Sequence, residues 1–141
     1  MKKTIPAAEM PAPFENIFGI DNPEEYGCRI FHYQQGHSVM IVRLEKGGDA
    51  AGTELYLVFE SVMYFQGYLG WTGANFCTAP IEEYMSLMLK ASEQVSQNEL
   101  KYIEQEMSSI PGRLFTVSAK EGVIKLIANT ATLSDDIAEW Q

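Results

Sequence analysis

Apolar and polar positions alternate with a period of two in several runs of this chain, and the period changes to 3.6 after Pro80. Tyr26 to Tyr33 alternates, with Cys28, Ile30 and His32 on one face and Arg29, Phe31 and Tyr33 on the other. After a short turn at Gln34-Gln35-Gly36, the run His37 to Leu44 puts Met40, Val42 and Leu44 on one face, so the two runs predict a hairpin. A flexible loop, KGGDAAG, follows at 46–52. Leu55 to Phe65 is apolar on both faces. That fits a central strand buried on both sides, or a strand bent by a bulge near Glu60-Ser61. Glycines at 67, 70 and 73 then surround a turn, and Trp71 to Cys77 predicts a short fourth strand.

Helical spacing appears at Ile81, Tyr84, Met85, Met88 and Ser92, behind Pro80 and with Glu82 and Glu83 in the first turn, where acids favour the N-terminal end of the helix dipole. A second start lies at Ser96, with Glu99 three residues on as in a capping box. The segment is therefore two helices meeting near Gln94-Val95 or one bent helix, ended by Pro111-Gly112. Leu114 to Ala119 and Val123 to Ala128 predict a closing hairpin around Lys120-Glu121-Gly122. Ser134 can cap a last short helix with Ile137 and Trp140 on its apolar side. Residues 1–13 carry three prolines and predict an extended or disordered arm, onto which Phe14, Ile17 and Phe18 follow at helical spacing. The expected organisation is that arm followed by a single α+β domain over 14–141: an antiparallel sheet of four N-terminal strands plus the C-terminal hairpin, covered by one or two helices.

The composition suits such a domain, with 46% hydrophobic and 21% charged residues in 141. The 19 acidic against 10 basic side chains, a formal charge of −9, disfavour a nucleic-acid partner and suit either plain solubility or a basic protein partner. Prolines stand where the apolar part of a leader would run, and no long apolar segment predicts a membrane span. Cys28 and Cys77 have no CxxC spacing and read as reduced core thiols, so the expected location is cytoplasmic.

No spacing assembles a catalytic or metal constellation, and no cofactor is expected. Cys28 and His32 stand four apart on one strand face, about 13 Å at roughly 3.3 Å per residue, too far to hydrogen-bond. His32 and His37 without carboxylate or cysteine partners make a weak metal set. The glycines at 67, 70 and 73 are followed by a strand rather than a helix, so they do not cradle a phosphate. Glu60, inside the run VFESVM, is a possible general acid if buried beside tyrosines, and otherwise a bulge residue facing solvent or pairing with Arg29 or Arg43.

The run LVFESVMYF leading into Trp71-Thr72-Gly73 is similar to several small bacterial families, including some toxin-immunity proteins. That likeness includes no diagnostic motif and transfers no site residue. The leading expectation is a non-enzymatic interaction protein. Its binding surface would combine Tyr64, Tyr68 and Trp71 at the glycine-rich turn with the helical acids Glu82, Glu83, Glu99, Glu104 and Glu106, for a basic partner such as a toxin enzyme. A second expectation is a small-molecule site in an aromatic cleft around Tyr56, Tyr64 and Trp71. A third is an enzyme using Glu60.

Overall fold

In a computed structural model of the protein, residues 2–34, 38–46, 54–91 and 112–140 are described. Among these residues seven strands precede the described helix: β1 (Lys2–Pro6), β2 (Tyr26–Gln34), β3 (Val39–Lys46), β4 (Glu54–Glu60), β5 (Tyr64–Gln66), β6 (Gly70–Thr72) and β7 (Cys77–Thr78). Helix α1 (Ile81–Ala91) comes next, then β8 (Arg113–Ser118), β9 (Val123–Ala128) and β10 (Thr130–Ser134). The mix of antiparallel sheet with a helix fits the α+β class.

The strands divide between two antiparallel sheets where the sequence pattern predicts one. The larger runs β1-β10-β4-β3-β2-β6 and the smaller β5-β9-β8-β7. The division happens inside the long apolar run. After Glu60 the backbone enters the left-handed region at Ser61 (φ 55°), and the chain leaves the larger sheet to pair Tyr64 with Ile127 in the smaller one. The expected fourth strand splits in the same way. Trp71 pairs with Cys28, whereas Cys77 pairs with Thr116 in the other sheet.

The inner faces of both sheets supply one core. Met40, Val42, Leu44, Leu57 and Phe59 from the larger sheet cluster with Phe115, Val117, Ile124 and Leu126 from the smaller. Phe59 lies 5.4 Å from Phe115 and 5.9 Å from Phe76, and Phe18 stacks on Phe115 at 6.2 Å. Burying each such ring contributes about 1.5–3 kcal/mol. The hairpins β2–β3 and β8–β9 form as their alternation predicts. Helix α1 begins directly after Pro80 and buries Tyr84 and Met85 against Leu114 and Ile127, on the outer face of the smaller sheet. The second helical start at Ser96 lies outside the described residues.

Of the N-terminal segment, expected as an extended or disordered arm, Lys2–Pro6 is a paired strand and Ala7–Glu9 a single 3-10 turn. β1 forms the edge of the larger sheet beside β10, Ala7 is fully buried, and the Ala7 N–H donates to the Asn129 carbonyl at 2.8 Å. The Arg113 guanidinium fixes the residues just after Ala7, donating to the carbonyls of Ala8 (2.8 Å) and Met10 (3.1 Å), and to that of Gly112 (2.9 Å). Two lysines and a proline on β1 are the residue types that keep an edge strand from pairing with other chains. Ser134 ends β10, where its hydroxyl accepts from the Asp136 N–H at 3.1 Å. The chain then turns through Ala138–Trp140 to lay Ile137 and Trp140 over Ile41 and Val58 on the outer face.

Candidate interaction surface

The described residues among those singled out from the sequence are divided between the core, the outer face of the smaller sheet and the β8–β9 turn. Trp71 is only 3% exposed. Its indole N–H donates to the Gly73 carbonyl at 3.0 Å and its ring meets Phe76 at 6.5 Å, so it packs the core and presents no area to a partner. Opposite Cys28 on the inner face, it had no other direction to point. Tyr64 lies on the outer face of the smaller sheet, where its hydroxyl donates to Gln66 at 2.7 Å and its ring packs beside α1. Glu83 reaches Lys125 on that same face at 3.5 Å, and Glu82 is exposed. Tyr68 is 45% exposed and lies over the β8–β9 turn, where only a glycine fits. A Cβ on Gly122, whose φ is 154°, would come within 2.6 Å of the Tyr68 hydroxyl. Glu99, Glu104 and Glu106 lie outside the described residues, as does His37.

The aromatic cleft expected around Tyr56, Tyr64 and Trp71 does not assemble, because the three side chains occupy the outer face of the larger sheet, the outer face of the smaller sheet and the core. Glu60 ends β4 opposite Thr130, half-buried, where its backbone carbonyl accepts from the Asn129 N–H at 3.1 Å.

What the fold brings together is a strip of exposed apolar side chains along β2 and the 67–69 turn. A register shift between Ile30 and His32 is the cause. The extra residue, Phe31, falls on the outer face, 5.8 Å edge-on from Tyr56 and 5.9 Å from the Arg43 guanidinium. Beyond it the alternation reverses. His32 stands opposite the outer-face Ile41, and Tyr33 opposite the inner-face Met40. Beside this bulge Leu69 is 81% exposed, its carbonyl accepting from the Ile30 N–H at 2.8 Å. Phe31, Tyr33, Tyr68 and Leu69 are thus exposed at one edge of the larger sheet and the adjoining turn, and Val123 is exposed at the start of β9 in the smaller sheet.

An ionic cluster borders the strip on the outer face. Arg43 pairs with Glu54 and lies 2.7 Å from Glu45 through Nε, although that N–H is not aimed well enough to form a hydrogen bond. Arg29 adds a looser contact to Glu45 at 3.7 Å. The hydrogen bond to Glu54, and then the neighbouring carboxylates, raise the Arg43 pKa. Burial, then the Glu54 charge, raises that of Tyr56. These groups are paired with each other.

Elsewhere the chemistry is sparse. Among the described residues no group of His, Cys, Asp and Glu is arranged to hold a metal ion. Both cysteines are free thiols. Burial, helped by the Glu121 charge, pushes the Cys28 thiol up to about 12, and the Sγ donates weakly to the Gly73 carbonyl at 3.3 Å. A shallow open depression lies between Lys2 and the segment Ser134, Asp135, Asp136, Ala138 and Glu139, where Lys2 pairs with Glu139 and stands 4.9 Å over the Trp140 ring. No helix among the described residues is long and apolar enough to cross a membrane. No family model matches the chain, and neither curated proteins nor solved structures give a match.

Phe31, Tyr33 and Leu69 were missed in the sequence because simple alternation assigns Phe31 and Tyr33 to one face of a flanked strand. The bulge that separates them has no residue signature of its own.

Proposed function

We propose that this protein is a non-enzymatic interaction protein that binds a basic protein partner, in the manner of an immunity-type inhibitor of a toxin enzyme. The observation that carries the reading is the set of exposed apolar side chains Phe31, Tyr33, Tyr68 and Leu69 along the β2 edge and the 67–69 turn, on a chain of formal charge −9. Large rigid side chains of this kind dominate binding energy when a partner desolvates them. The net negative charge of the chain accelerates encounter with a cationic surface. The cytoplasm suits two unpaired thiols.

Capture from the native cell lysate at low and high salt tests the reading. The wild-type protein should retain a basic protein at low salt, retain less at high salt, and retain much less with Leu69→Ser. Retention that strengthens with salt, or that Leu69→Ser leaves unchanged, overturns it. A small-molecule site has less support, because Tyr56, Tyr64 and Trp71 lie in three separate parts of the fold.

A further inference from the structure

We propose that the open edge of β2 from Phe31 to Gln34 is a docking site for an extended segment of the partner, which adds to the larger sheet as a strand in line with β6. This deepens the interaction reading and rests on it. β2 is nine residues long, but β6 is only three and pairs with Gly27, Cys28 and Arg29. The Ile30–Leu69 bond is the last link between them. The chain then departs, because Gly67 is drawn against the smaller sheet, where a Cβ would stand 3.0 Å from Ile124 Cγ1. Phe31, His32, Tyr33 and Gln34 are consecutively exposed, and among the described residues only β3 pairs with them.

The bulge decides what this edge offers. Ile30 points its N–H away from β3, toward Leu69. Because Phe31 is the extra residue, Tyr33 occupies the next position of the same phase, opposite Met40. The ladder alternation therefore turns the Tyr33 N–H and carbonyl toward the open side. A backbone donor and acceptor side by side on an exposed edge match another extended backbone, the basis of strand addition. The side chains complete a grip: Phe31 stands on the outer face, and Tyr33 and Leu69 flank the inner one. The occupant is a cationic extended peptide segment and not a second copy, because two chains of −9 repel each other.

The test uses a fluorescein-labelled, end-capped hexapeptide of alternating lysine and valine, and the same peptide with every second amide N-methylated. Binding is read by fluorescence anisotropy. The plain peptide should bind the wild type, and N-methylation should weaken binding at least tenfold. Tyr33→Pro removes the edge N–H without breaking a bond to β3, a position where proline is tolerated in an edge strand. It should weaken binding at least tenfold while the circular dichroism spectrum and urea midpoint stay close to wild type. Tyr33→Thr, which keeps the N–H, should lose less than Tyr33→Pro. If both peptides bind equally and salt weakens both, strand addition is wrong while recognition of a basic partner stands. If neither binds, strand addition is wrong, and lysate capture judges the broader reading separately. If sedimentation shows a wild-type dimer that Tyr33→Pro abolishes, the occupant is a second copy and the peptide assignment is overturned.

Discussion

Replacing Trp71 by alanine should separate core from surface in the region where the aromatics are densest. The indole is 3% exposed, meets Phe76 at 6.5 Å and donates to the Gly73 carbonyl at 3.0 Å. Truncating a buried Trp or Phe costs about 3–5 kcal/mol, made of lost transfer energy and the cavity left behind. The lost hydrogen bond falls inside that range, because the Gly73 carbonyl keeps the weak Cys28 Sγ–H donor. At an m-value of about 2 kcal/mol/M, a loss of about 4 kcal/mol lowers the urea midpoint by about 2 M. Tyr68→Ala, at a half-exposed position in the turn, should cost under about 1 kcal/mol. Both midpoints are read by circular dichroism, so that removal of the fluorophore does not matter. A Trp71→Ala midpoint within 0.3 M of wild type, as roughly expected of a surface substitution, would refute the placement of Trp71 in the core.

Other outcomes rest on named contacts. In the folded protein at pH 8 a thiol reagent should modify half-buried Cys77 readily and Cys28 hardly at all, because burial keeps Cys28 protonated up to about 12; both should react after unfolding. Glu60→Gln should cost under about 1 kcal/mol by urea titration, since the residue ends a strand and its fixed hydrogen bond is made by the backbone carbonyl. A cost of several kcal/mol would reveal a carboxylate role. Arg113→Ala should cost about 2 kcal/mol, the usual scale for hydrogen bonds from a charged donor. It should also speed exchange of the Ala7 amide, since the guanidinium holds the carbonyls of Ala8 and Met10.

Local pattern made the hairpins legible. Strands β2, β3, β8 and β9 and the start of α1 come from alternation, turn glycines and the proline-acid start signal. The two-sheet division was not legible. Leu55 to Phe65 reads as one apolar run, and a bulge near Glu60-Ser61 would have left its halves in one sheet. The left-handed corner at Ser61 instead sends them to different sheets. β1 and β10 escaped because their pairing partner is at the far end of the chain, Lys2 opposite Ser134. For the candidate site, the sequence singled out the glycine-rich turn and Tyr68, which is 45% exposed. It could not separate Trp71, turned inward by its pairing with Cys28, from Leu69, turned out beside Ile30.

Amide hydrogen exchange at Tyr33, measured by NMR with and without saturating lysine-valine hexapeptide, tests the proposed surface most directly. In the free protein this amide should exchange faster than that of Ile30, which is bonded to Leu69. With peptide bound it should slow at least tenfold while the amides of α1 stay unchanged. Unchanged exchange at Tyr33, with protection appearing instead around Glu82 and Glu83, would contradict the assignment and move the binding site to the helical face.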